Sequence, residues 1–369
     1  HERVEAQVTE RLVRHIAAVA GHLPERITPD TPLTDLGLDS LMAVRLRAAV
    51  EREFGAAPST HDLMRADTVQ AVADAVTRAA HHDRPAHRPP PAALVSVRAG
   101  RRVPYPLRAL RPAGDHPPLI LAHAAGGTPD VYRPLAALLS PELPVYGLDR
   151  VEEADTVAAK ARLCAEAIRK AWPDGGYWIG GWSFGGFVAQ EAARLLAAEF
   201  APPEAVVLID AVRPLPRPLG RTSWDVTREH FEGFAAYASR TYDVQLDLPY
   251  TELARLDDRG RIDLVLETLS SVADIPPAAL RHQRASYLDL RTGEAHTPRS
   301  YDGRVILYRA TEPAPHTVRD PAYERTDDAL GWDELCPHLE IVRIPGHHLS
   351  LLDPPHAQAI ADHLNQVLG

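Results

Sequence analysis

Three consecutive prolines, Pro89–Pro91, divide this sequence into two parts expected to fold separately. Proline lacks a backbone N–H and locks φ. The run "HHDRPAHRPPPA", His81 to Ala92, therefore suits an extended polyproline tether and not a helix interior or a central strand. Where extended at ~3.1 Å per residue, such a tether spans roughly 35 Å. Before it the apolar residues recur only at helical spacing: Val4, Val8, Leu12, Ile16 and Val19, then Leu41, Val44, Leu46 and Val50, then Val69, Val72 and Val76. A Pro/Thr/Asp-rich loop, "HLPERITPDTPLTDLGL", separates the first two of these runs, and a short piece around "HDLMR" precedes the last. The pattern predicts a small four-helix domain over residues 1–80, a linker over 81–92 and a second domain over 93–369.

The second part reads differently. Apolar runs of strand length, "PLILAH", "LPVYGLD", "GYWIGGWS" and "AVVLID", alternate with helical segments near "VYRPLAALL", Asp155–Ala171 and "FGGFVAQEAARLLAAEF". That alternation predicts an α/β domain with a mostly parallel sheet. It stops at about residue 214 and resumes after about 297 with "GRVILYRA", "LEIVRIPG" and a closing helix "PHAQAIADHLNQVL". The helical block between, 214–297, is a candidate lid. Its apolar residues include Phe231, Phe234, Tyr237, Leu264 and Leu266, which suits a bulky apolar ligand and equally suits plain helix packing.

Composition narrows the function. A net charge of −10 with no basic block argues against a nucleic-acid partner. The two cysteines, Cys164 and Cys336, have no metal-type spacing and fit a reducing, cytoplasmic setting without disulfides. No apolar run is long enough for a membrane span, no secretory signal precedes the first domain, and no metal site is expected. The first residues already lie in a helical pattern, which suggests a piece of something larger.

"GWSFG" places Ser183 in a G-x-S-x-G pattern between an apolar strand and a long helix, the context of a nucleophile elbow. A tight strand-to-helix turn lifts the hydroxyl clear of the sheet, and the crowding there requires glycine at 181 and 185. The helix that follows aims its N-terminal amides and dipole at the reacting carbonyl, so the Phe184 amide can stabilise an oxyanion. A serine needs a base, and the base an orienting acid; in α/β-hydrolases the chain order is Ser, acid, His. Asp210 ends the strand "AVVLID", on the sheet edge that carries Ser183. Glu312, after "VILYRA", is the rival acid. After the last strand, "IPGHHLSLL" offers His348 as the base, with His347 beside it, while His356 in "DPPH" begins the final helix. A second oxyanion amide is expected from "AAGGT", Ala124 first and Ala125 next to it.

Ser40, in "LGLDSL" at a helix start, could simply cap that helix together with Asp39. Its flanks are more specific. Residues 1–80 resemble an acyl carrier protein, in which the serine of D-S-L carries a phosphopantetheine arm; the resemblance implies covalent 4′-phosphopantetheine on Ser40. The helix after Ser40 is less acidic than expected of that family, since Arg45, Arg47 and Arg52 offset Glu51 and Glu53. Residues 93–369 resemble the terminal thioesterase domains of polyketide and nonribosomal peptide synthases: "HAAGG", "VYGLD", "GGWSFGG", "VVLID" and "PGHHLSLL" occur in the family's order. That resemblance selects Asp210 over Glu312 and, through P-G-x-H, His348.

The two serines thus have different expected jobs. Ser40 presents an acyl thioester, and Ser183 takes the acyl group and releases it to water, an internal hydroxyl or carbon nucleophile, or an outside alcohol or amine. The implied partners are upstream synthase domains, a phosphopantetheinyl transferase and an acyl or polyketide substrate. Alternatives from other classes are a stand-alone serine esterase with a helical appendage, and a non-catalytic carrier or docking module.

Overall fold

The computed structural model describes residues 103–369, apart from 217–218, 243, 274, 276, 314–320, 353–354 and 369. Before residue 103 it describes 8–13, 16, 27–31, 46, 50, 58, 63, 66 and 68–82. The chain forms two compact units, one of residues 1–95 with 222–281, the other of 96–221 with 282–369.

In the first unit, helical backbone at residues 8–13 and helix α1, Val69–His82, contribute to a cluster in which Leu12, Ile16, Leu46, Val50, Leu63, Val69, Val72 and Val76 are buried. These are largely the positions that the helical periodicity marks as core. Helix α1 runs through His82 and so takes in the first two residues of the expected linker. Ser40, the rest of the linker and most of the expected four-helix arrangement lie outside the described residues.

The second unit is built on a seven-stranded sheet. Its elements, in chain order, are β1 Leu107–Arg111, β2 Leu119–Ala122, α2 Arg133–Leu138, β3 Val145–Leu148, α3 Val157–Ala171, β4 Trp178–Trp182, α4 Phe184–Glu199 and β5 Val206–Ile209. The helical insert follows as α5 Ser223–Tyr242, α6 Tyr250–Leu253, α7 Asp258–Val272 and α8 Pro277–Ala295; the chain then returns as β6 Val305–Glu312, β7 Leu339–His347 and α9 His356–Leu368. Helices α5 to α7 belong to the first unit, and α8 from His282 onward belongs to the second.

The strand order is β1-β3-β2-β4-β5-β6-β7, and every pair is parallel except β1 with β3. β1 is the one strand that the sequence reading lacks. Its "LRALR" alternates Arg with apolar residues at an edge and so has no continuous apolar run. The inner strands do, because both faces of a parallel sheet are covered. Side chains alternate accordingly. Ile120 and Ala122 join Leu208, α3 and α4 on one face, and Leu119 and Leu121 join Ile209, Tyr308 and α9 on the other. From β2 the chain goes to β3 on one side, and from β3 it crosses back to β4 on the other side of β2. The carboxyl edge between β2 and β4 is therefore the switch point where α/β sheets open a crevice.

Candidate active site

Ser183 follows β4 directly and has φ 55° and ψ −124°, a left-handed conformation that few non-glycine residues adopt. The turn is held by Ser183 N–H donating to Ile209 O at 2.9 Å and Gly186 N–H donating to Ser183 O at 3.0 Å. The glycines are a steric requirement. A Cβ at Gly181 would lie 2.3 Å from the Gly185 carbonyl carbon, and a Cβ at Gly185 would lie 2.4 Å from Ala122 O. The strand before the serine, the helix after it and the end of β2 thus meet without room for a methyl group. Phe184 is the first residue of α4, so its amide belongs to the positive end of the helix dipole.

Asp210, just after β5, also has positive φ, 45°. Its N–H donates to Tyr308 O at 2.7 Å, and its Oδ1 accepts from Ala310 N–H at 2.9 Å. Those bonds to the neighbouring strand β6 aim the other oxygen, Oδ2, at His348 Nδ1, 2.7 Å away. A carboxylate only accepts, so Nδ1 carries the proton and Nε2 keeps its lone pair. Asp210 is nearly fully buried and His348 is partly exposed, which leaves the imidazole accessible on the sheet edge.

Two neighbours hold that imidazole. The Trp182 indole Nε1–H donates to His348 O at 3.1 Å, and the two rings lie 5.2 Å apart, tilted by 36°. His348 follows the end of β7, where Gly346 N–H donates to Glu312 Oε1 at 3.1 Å. Glu312, the rival acid, is thus engaged with the backbone of the histidine loop, while the bond to the imidazole comes from Asp210. His347 ends β7; its N–H donates to Ser350 Oγ, and burial lowers the pKa of its ring. His356 is the first residue of α9, as its sequence context predicts.

The loop after β2 carries His123, Ala124, Ala125, Gly126 and Gly127. Gly127 N–H donates to Ala124 O at 3.0 Å, and His123 Nδ1 lies 2.8 Å from the same carbonyl, which fixes that proton on Nδ1. Ala124 is buried and Ala125 half-buried.

A residue that the sequence reading passed over joins this loop to the elbow. In the β2–β4 pairing Leu119 faces Trp178 and Ala122 faces Gly181, and Trp178 N–H donates to Pro118 O. Continuing that ladder by two-residue steps sets Trp182 N–H opposite Ala122 O. The Tyr132 hydroxyl stands in that place, accepting from Trp182 N–H at 2.7 Å and donating to Ala122 O at 2.6 Å. The phenol is fully buried, and it sits where the two strands part at the switch point. In the sequence Tyr132 reads as an apolar position of a helix start, with nothing to mark its hydroxyl. Lys160, whose Nζ donates to Val151 O and lies 3.7 Å from the buried carboxylate of Asp289, did leave a signal: it occupies an inward, apolar-spaced position of α3 between Val157 and Cys164, in a chain whose cations are otherwise almost all Arg.

Among the described residues, no helix is long and apolar enough to cross a membrane, and no group of three His, Cys, Asp or Glu could hold a metal ion.

Comparison with known proteins matches residues 10–76 to the phosphopantetheine attachment site family and residues 117–368 to the Thioesterase domain family. The first match places a carrier-type region ahead of the sheet and indicates covalent 4′-phosphopantetheine. A dimodular nonribosomal peptide synthase of Bacillus subtilis is 26% identical over 297 residues, covering 79% of this chain and 11% of the synthase. A non-reducing polyketide synthase of Cladonia metacorallifera is 27% identical over 382 residues, covering 97% of this chain and 17% of that protein. The chain thus spans less than a fifth of the length of either relative. Among solved structures, a four-domain nonribosomal peptide synthetase bound to AMP and glycine has a TM-score of 0.52 at 23% identity, covering 96% of this chain and a quarter of that one, a likeness of fold. With 117–368 matched over strands β2 to β7, the elbow and the Asp210–His348 pair, the chain belongs to the Thioesterase domain family.

Proposed function

We propose that this chain is the carrier and release unit at the end of a polyketide or nonribosomal peptide synthase, with Ser183, Asp210 and His348 as catalytic triad. The carrying observation is the Asp210–His348 bond at the carboxyl edge of a sheet whose neighbouring strand ends in a strained serine elbow, in a thioesterase chain with a carrier match ahead of it. In this reading residues 1–80 are a four-helix carrier, 81–92 a tether, and 93–369 the thioesterase, with 214–297 as lid.

Ser40 is the residue that holds 4′-phosphopantetheine. The donor chemistry fits, since a serine hydroxyl forms the phosphodiester, and Leu46 and Val50 just downstream are buried in the core of that region. The group supplies a thiol on a long arm, on which the acyl chain arrives as a thioester. A short tether gives effective concentrations on the order of millimolar, so delivery does not require tight docking.

His348 Nε2 takes the Ser183 proton as Oγ attacks the thioester carbonyl. Asp210 accepts the Nδ1–H bond, sets the tautomer and stabilises the imidazolium. The amides of Ala124 and Phe184 stabilise the tetrahedral oxyanion. The C–S bond breaks, the proton on His348 goes to the departing sulfur, and an acyl-Ser183 ester remains. A second nucleophile, deprotonated by His348, completes release as acid, ring, ester or amide. Upstream synthase domains and a phosphopantetheinyl transferase are the partners implied.

The test is intact-protein mass spectrometry of a chain loaded on Ser40 with a long-chain acyl group. Acyl mass should move to Ser183 and then leave. Ser183→Ala should keep the acyl group on Ser40, and Ser40→Ala should never acquire it; release from Ser183→Ala at the normal rate contradicts the proposal.

A further inference from the structure

Helix α8, the last helix of the insert, bears directly on the loop expected to supply an oxyanion amide. Gly126 in that loop has φ +67°, and a Cβ there would lie 2.7 Å from the backbone nitrogen of Ser286. Its N–H donates to Asp289 Oδ2 at 3.0 Å, and its carbonyl lies 3.1 Å from His282 Nδ1. Both polar groups of one loop residue are therefore bonded to α8.

Asp289 is fully buried. The same Oδ2 accepts from Arg150 Nε at 2.9 Å, at the end of β3, and lies 4.0 Å from His123 Nδ1. Lys160 Nζ, on α3, lies 3.7 Å from Oδ1 and donates to Val151 O. One carboxylate thus ties the oxyanion loop to α8, to the β3 exit and to α3. Removing a buried carboxylate from between two cations leaves those charges unpaired and is costly.

We propose that Asp289 is a positioning residue for thioester cleavage: it holds the 123–127 loop, and with it the Ala124 amide, at the height the oxyanion requires. In this reading the last helix of the insert sets half of the oxyanion hole. The inference rests on the triad reading above. A loop displaced by about 1 Å costs on the order of a hundredfold in rate and little in ground-state binding.

The test compares two charge-balanced double variants, Asp289→Asn/Lys160→Met and Asp289→Leu/Lys160→Met, with wild type. Both variants remove one negative and one positive charge; only the Asn variant keeps an acceptor for Gly126. The readouts are the rate of Ser183 labelling by an alkyl fluorophosphonate, kcat and KM for a short acyl thioester, and the melting temperature. The Asn variant should label within about threefold of wild type, and the Leu variant about 10–100-fold more slowly, with the loss in kcat and KM unchanged. Equal labelling of the two variants, or a loss confined to KM, overturns the inference. Should the Leu variant not fold, His282→Ala carries the test from the surface: about threefold slower labelling supports the inference, and an unchanged rate overturns it. If Ser183→Ala labels as fast as wild type, the triad reading fails instead.

Discussion

Replacing Tyr132 by Phe removes one oxygen and strands two backbone groups. The hydroxyl accepts from Trp182 N–H at 2.7 Å and donates to Ala122 O at 2.6 Å inside a fully buried site. An unpaired buried donor or acceptor costs about 1–3 kcal/mol. Partial closure of the strands recovers some of this, so the expected loss is about 2–4 kcal/mol, a large share of a total stability of about 5–15 kcal/mol. For a domain of this size the melting point should fall by roughly 5–12 °C. The rate should fall too, because the two groups directly precede Ser183 and the 123–127 loop, the proposed nucleophile and oxyanion loop; roughly tenfold slower acylation of Ser183 is expected. Tyr177→Phe is the control. It loses a hydrogen bond to Ala201 O at 2.6 Å at the amino end of β4, and should cost about 1 kcal/mol with no change in rate. Differential scanning calorimetry and fluorophosphonate labelling of Ser183 read the two quantities separately. A Tyr132→Phe protein that melts within about 1 °C of wild type, or labels as fast, would refute the argument that this hydroxyl completes the ladder.

Other outcomes follow from the same geometry. Asp210→Asn should lower kcat by about 10³–10⁴-fold by favouring the wrong imidazole tautomer. Glu312→Gln keeps a carbonyl acceptor for Gly346 N–H and should stay within a few-fold of wild type; steady-state kinetics on an acyl thioester separates the two acids. Trp182→Phe keeps an aromatic ring but loses the indole N–H bond to His348 O, about 1 kcal/mol, and should slow acylation about fivefold. His123, His296 and His347 all have pKa values lowered from 6.5, in each case first by burial; at His123 the Asp289 carboxylate opposes the shift while Lys160 and Arg150 reinforce it. A depressed histidine pKa means that the unfolded chain binds the proton more readily. The stability these groups contribute is complete above pH 6.5 and is lost as pH falls through their folded values. Urea midpoints measured from pH 7.5 to 5 should therefore decline below 6.5, and a flat profile would contradict it.

The sheet, the elbow and the Asp–His pair were legible in the chain because each leaves a local trace. A strand buried on both faces needs a continuous apolar run, as in "LILA" and "VVLI". An elbow crowded on three sides needs glycines at set offsets from its serine. A parallel sheet delivers the residues just after its strands to one edge, so position marked Ser183 and left Asp210 with Glu312, and His348 with His347, as candidates; the thioesterase resemblance chose Asp210 and His348. What the sequence left open between Asp210 and Glu312 was a matter of direction: the positive φ of Asp210 and its bond to Ala310 N–H aim one oxygen at the imidazole, whereas Glu312 turns to Gly346. Tyr132 and Asp289 were not legible at all. One reads as an apolar helix position and the other as a polar residue of the insert. Their roles depend on groups at other places in the chain, Trp182 and Ala122 for the first, Gly126, Arg150 and Lys160 for the second. Periodicity and motif spacing record which face a residue turns inward; which buried polar group it meets there is decided only when the chain has closed on itself.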